Sequence, residues 1–172
     1  MFGMFVDFEQ RRAIVIDKSV AKLTLTTVED LCATVADALD YGGEWPPIGG
    51  MSGSTMDVAG LIALGESIRS KSLKDEIDCD ICLQLTGGPF QVDRVSLKDV
   101  QDNTFSTTWV PMIEHPGVPV AMRDAVSRNV LRKYLLGIER GVWSVSDEWN
   151  RCINLPYTTA EEYLRKVWVN RP

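Results

Sequence analysis

Histidine occurs only once in the 172 residues, as His115, and cysteine four times, as Cys32, Cys79, Cys82 and Cys152. A four-ligand zinc site is hard to fill from that stock. Long apolar runs are also missing. The longest, around Val58 to Leu64, falls far short of the ~18 residues that suggest a membrane span. The opening Met1 to Asp7 has no basic n-region and meets an acid before any apolar stretch is long enough for a signal peptide. Basic charge is in deficit overall, with a formal net charge of −6. Phosphate backbones are repelled by such a balance, so no non-specific nucleic-acid binding and no membrane contact are expected. Signatures of catalysis are lacking too: there is no G-x-S-x-G, no P-loop lysine motif and no G-x-G-x-x-G. No internal repeat is present.

What remains is an ordinary globular composition. Hydrophobic residues make up 45% and charged residues 24%, far from the signature of disorder, so the chain is expected to bury a core. Its length fits a single domain over residues 1–172. The four cysteines sit in apolar segments of a chain too large to need staples. They are read as free, buried thiols of a reducing cytoplasmic compartment.

The periodicities give a coarse order of elements. Phe2, Met4, Val6 and Phe8 alternate, Glu9 to Arg12 interrupt, and β-rich residues resume at Ala13–Ile16 and Val20–Leu25, which predicts a three-stranded antiparallel meander. Thr26 with Glu29 reads as a capping box for a helix whose inward stripe is Val28, Leu31, Cys32, Val35, Ala38 and Leu39. Residues 42–55, with five glycines and two prolines, predict a long loop. Ser54 and Asp57 are candidate caps for a second helix from Val58. Alternation over Ile77–Leu85, then Phe90–Leu97 and Thr104–Met112, predicts a second meander. A helix opening at Pro119 and a final one capped by Thr158 and Glu161 complete the chain. Strands and helices are segregated, so the fold class is α+β: an antiparallel or mixed sheet from two meanders, packed with about four helices.

Candidate chemistry is sparse. Cys79 and Cys82 have C-x-x-C spacing, but three residues apart on a strand they face opposite ways. Asp78 and Asp80 share one strand face and are the candidate cation ligands or acid–base pair. His115 beside Glu114 is the candidate acid–base pair of a loop. Gly49 to Thr55 has the general look of a phosphate cradle, without its lysine. Arg123, Arg128, Arg132, Lys133 and Arg140 form a basic helix face. Glu44, Trp45, Ile48 and Met51 combine a rigid aromatic segment with glycine hinges, the composition of a partner-binding site. Residues 1–102 hold 17 acids and 9 bases, so that site lies in the acidic part of the chain and suits a basic protein partner.

These readings favour a non-catalytic binding protein that inhibits or sequesters a partner, with no cofactor. In physical style it is like an immunity or counter-defence protein, though no motif carries a family. Two alternatives stay open: a small enzyme using His115 with Glu114, or Asp78 with Asp80, beside the glycine-rich loop, and a virion or assembly component.

Overall fold

A computed structural model of the chain describes residues 4–71 and 89–168. The fold is mixed α+β, with two small sheets and six α-helices among the described residues. These residues fall into two compact units, one drawn from Met1–Ala21 and Cys79–Gly141, the other from Lys22–Asp78 and Val142–Pro172.

The first unit is built on a three-stranded mixed sheet. β1 (Val6–Asp7) runs antiparallel to β2 (Arg12–Ile16), which pairs in parallel with β5 (Gln91–Val95) from Arg12 opposite Gln91 to Ile16 opposite Val95. The polar interruption from Glu9 to Arg11 lies in the turn between the first two strands, and Arg12 opens β2. The Asp7 carboxylate accepts the backbone N–H of Glu9 and Gln10, and its other oxygen takes Arg12 Nε at 3.1 Å. β2 is buried on both faces from Ala13 to Ile16, as a strand in a parallel pairing requires.

α3 (Leu97–Asp102) follows β5, with Ser96 as its N-cap and Asn103 as its left-handed C-cap at φ 60°. Asparagine tolerates that conformation because its short side chain bonds locally. A 3-10 turn (Val120–Met122) leads into α4 (Arg123–Glu139), whose Ser127, Leu131, Leu135 and Ile138 form the buried stripe. Ile14, Ile16, Val95, Val100, Phe105, Trp109, Leu131 and Leu135 make the core.

Residues 104–112 do not form the expected strand. Phe105 and Trp109 enter the core individually, and Thr108 is held by its N–H and hydroxyl on the Asp93 carboxylate, at 2.6 and 2.9 Å. A side-chain acceptor has replaced a backbone ladder.

The second unit holds β3 (Lys22–Leu25) antiparallel to β4 (Ser54–Asp57), with Leu25 opposite Ser54. β3 therefore does not extend a first meander: its partner comes from the far end of the expected loop. α1 (Val28–Leu39) is capped by Thr27, which accepts the Asp30 N–H at 3.0 Å; the expected cap, Thr26, instead donates its hydroxyl to the Met51 carbonyl. β4 passes directly into α2 (Val58–Lys71), where Asp57 accepts the Gly60 N–H at 2.6 Å. Ser54 does not cap α2. Its hydroxyl accepts the Ala160 N–H at the start of α6 (Ala160–Trp168). α5 (Glu148–Cys152) supplies Trp149, which packs with Ala38 and Ile153.

α6 opens on a capping box one residue later than expected. Thr159 accepts the Glu162 N–H at 3.2 Å, and the Glu162 carboxylate accepts the Thr159 N–H and hydroxyl, each at 2.8 Å. The Thr159 N–H, followed by its hydroxyl, holds the Glu162 carboxyl below its ordinary value. A group with a depressed folded pKa contributes stability that is present above its unfolded value, about 4.3, and is lost as pH falls through the folded one. Urea titrations of the protein and of Glu162→Gln should therefore converge as pH drops through this range, the wild type being the more stable at pH 7. A constant difference between them down to pH 2 would contradict the box.

Candidate protein-interaction surface

α1 meets the rest of its unit with its polar side. Asp30 accepts the N–H and hydroxyl of Thr158 at 2.8 and 3.1 Å, and Thr34, almost wholly buried, bonds the Asp30 carbonyl and the Tyr157 hydroxyl. Ala38, on the same side, lies in the cluster around Trp149. Its small side chain permits that close approach.

The apolar stripe is thus turned outward. At about 100° per residue, Val28, Cys32, Val35 and Leu39 fall within a band of roughly 60°, and Thr34 and Ala38 lie roughly 110° away. Val28 is 71%, Val35 51% and Leu39 77% exposed, with Leu31 at the edge of the band at 45%. The expectation that the stripe lines the core holds for Ala38 alone and is overturned for Val28, Leu31, Cys32, Val35 and Leu39: only Thr34 and Ala38 of this helix are buried. Cys32 is likewise exposed and Cys152 partly exposed; both are free thiols as expected, but not buried ones.

The loop after α1 adds to the same unit's exposed apolar surface. Trp45 stacks edge-to-face on Trp149 at 5.2 Å yet stays 57% exposed, and Ile48 is 67% exposed. Tyr41 meets Trp149 in the same manner at 5.6 Å. Its hydrogen bond with Cys152 holds its phenol above the ordinary value. Of the four residues the sequence nominates, Glu44, Trp45 and Ile48 are exposed, whereas Met51 packs partly buried against the Trp149 cluster.

The glycines here permit close approach. A Cβ on Gly50 would stand 2.4 Å from the Ser146 carbonyl oxygen, and one on Gly53 2.4 Å from that of Thr158. The Ser52 and Gly53 N–H groups are taken by Asn150 and by the Leu25 carbonyl. With β4 lying between this loop and α2, the arrangement is not the loop-to-helix cradle that holds a phosphate.

Other nominated groups are placed as follows. His115 is exposed in a turn where its Nδ1 accepts the Gly117 N–H at 3.0 Å, and Glu114 beside it is exposed. A cavity of about 350 Å³ in the first unit is lined by Met4, Met112, Ile113, Ser127, Val130 and Tyr134 among others, and by neither His115 nor Glu114. The Ser127 hydroxyl there already accepts the Ile113 N–H at 2.9 Å. Asp78, Asp80, Cys79 and Cys82 lie outside the described residues. Among the described residues no group of three metal-ligating side chains occurs, and no helix is long and apolar enough to cross a membrane. On α4, Arg128 donates to the Phe105 carbonyl, and Arg132 donates to those of Val100 and Gln101, so these two cations fasten α3 and the segment after it.

The sequence nominates the exposed loop but not the exposed helix face. Comparison of the chain with protein-family models, with curated proteins and with solved structures finds no match.

Proposed function

We propose that the protein acts by binding another protein, without catalysis, through the outward stripe of α1 together with Trp45 and Ile48. The observation that carries this reading is the exposure of Val28, Val35 and Leu39 on a helix that is anchored to its unit through Asp30, Thr34 and Ala38 instead. Exposed apolar side chains grouped on one face mark interaction sites, whereas scattered ones do not. Occupying a partner's apolar groove in this way is also how the protein would inhibit or sequester it, in the manner of an immunity or counter-defence protein. The exposed Cys32 thiol on this face fits a reducing, cytoplasmic setting.

Affinity capture from the cell that makes the protein tests the reading. The full chain and its Val35→Gln/Leu39→Gln variant serve as paired baits. Glutamine keeps helix propensity and, at exposed sites, should leave the melting temperature unchanged. The wild type is expected to retain a partner that the variant loses by tenfold or more. Equal retention by both baits would refute the assignment of this face.

A further inference from the structure

The charge of the segment that carries α1 is as one-sided as the helix's hydrophobicity. Between Lys22 and Arg69 the chain has no lysine, arginine or histidine, but seven acids. Two of these are used inside the unit: Asp30 holds Thr158, and Asp57 starts α2. Glu29, Asp37, Asp40 and Glu44 are exposed. Glu29 and Asp40 lie roughly 100° round the helix from the apolar band, on the side away from Thr34 and Ala38. The band is therefore bordered by the body of the unit on one side and, on the other flank of the helix, by the carboxylates of Glu29 and Asp40 with the small Ala33 and Ala36 between them and no cation. It runs about 16 Å from Val28 to Leu39 at the helical rise.

Three occupants compete for such a ridge, and charge separates them. A membrane surface is anionic, and helices that lie on one carry lysine and arginine on the polar face, which α1 does not. A second copy packed stripe on stripe in an antiparallel two-fold contact would bring one set of carboxylates toward the same set on its twin. A partner helix with apolar residues at i, i+4, i+7 and i+11, flanked by lysine or arginine, matches both the spacing of the ridge and the sign of its border. We propose that α1 is the docking ridge for a basic amphipathic helix of a partner protein. This rests on the protein-binding reading above and adds the chemistry of the partner.

The test uses defined probes on the isotope-labelled full chain. One is a 15-residue helical peptide with leucine at the four ridge-matching positions and lysine beside them, and the other is its twin with glutamate for every lysine. The lysine peptide is expected to shift amide resonances over residues 28–40 and to bind at least tenfold more tightly than the twin at 0.1 M salt. That preference should shrink at 1 M, where the Debye length falls to about 3 Å. Val35→Gln/Leu39→Gln should weaken the lysine peptide at least tenfold, and Glu29→Gln/Asp40→Asn should reduce the preference for lysine over glutamate. Equal binding of the two peptides, shifts that avoid α1, or indifference to Val35→Gln/Leu39→Gln would overturn the proposal.

Sedimentation of the protein alone and flotation with phosphatidylserine vesicles complete the test. Dimerisation through α1, or vesicle binding that Val35→Gln abolishes, would replace the basic helix by another occupant. If the cellular partner is lost with Val35→Gln/Leu39→Gln but proves to offer an acidic or neutral segment, the basic helix falls and the protein-binding reading stands. If the cellular partner ignores that variant, the reading itself falls.

Discussion

Trp149→Ala is expected to destabilise the protein by about 3–5 kcal/mol, the cost of emptying a large aromatic site. Trp149 is only 5% exposed and packs with Ala38 of α1 and with Ile153. Tyr41 and Trp45 both meet its ring edge-to-face, at 5.6 and 5.2 Å. Its backbone N–H is also bonded to the Gly50 carbonyl at 3.0 Å. Removing the indole withdraws the support of Trp45 and one of the packed contacts of α1, so partner binding should fall along with stability. Trp45→Ala, by contrast, removes a half-exposed ring and should cost about 0.5–1.5 kcal/mol of stability, the worth of an edge-to-face pair. Urea unfolding of the two variants checks the ordering. Equal costs would mean that Trp149 does not organise this cluster.

Phe105→Ala should cost about as much, 3–5 kcal/mol by the same reasoning. Phe105 is 2% exposed within the core that includes Ile14, Val100 and Leu131. The Arg128 guanidinium lies 4.7 Å from its ring centroid and also donates to its backbone carbonyl. Truncation therefore leaves a void and strips a cation of its aromatic partner. A loss below 1 kcal/mol by chemical denaturation would contradict this place for residue 105.

The contrast between Phe105 and Leu39 shows what the sequence could and could not disclose. Both are large apolar residues in well-patterned segments, and both invite a core assignment. Periodicity shows that a helix has an apolar face, but it does not say whether the chain itself covers that face. For α1 the deciding contacts are polar and distant in sequence: Asp30 with Thr158, and Thr34 with Tyr157. No local pattern predicts pairings across more than a hundred residues.

The helices over 28–39, 58–71 and 123–139 were legible because several turns of apolar spacing agree. The caps themselves slipped by one residue at Thr27 and Thr159, where neighbouring threonines offer the same chemistry. The strand Ser54–Asp57 was not legible, since its glycine-rich approach resembles loop and its partner β3 lies far back in the chain. Trp45 and Ile48, part of the proposed site, were nominated from composition alone, and both are exposed. The α1 part left one trace in the sequence, the cation-free stretch from 23 to 68 around an unusually apolar helix.

The central claim is that one face of α1 meets a partner, and photo-crosslinking along the helix in the cell that makes the protein measures it most directly. A photoreactive residue is placed in turn at 35 and 39, on the outward stripe, and at 33 and 37, which are also exposed but lie on other sides of the helix. The account predicts an adduct with the same protein at 35 and 39 and none at 33 and 37. Adducts at all four positions, or at 33 and 37 alone, would contradict it.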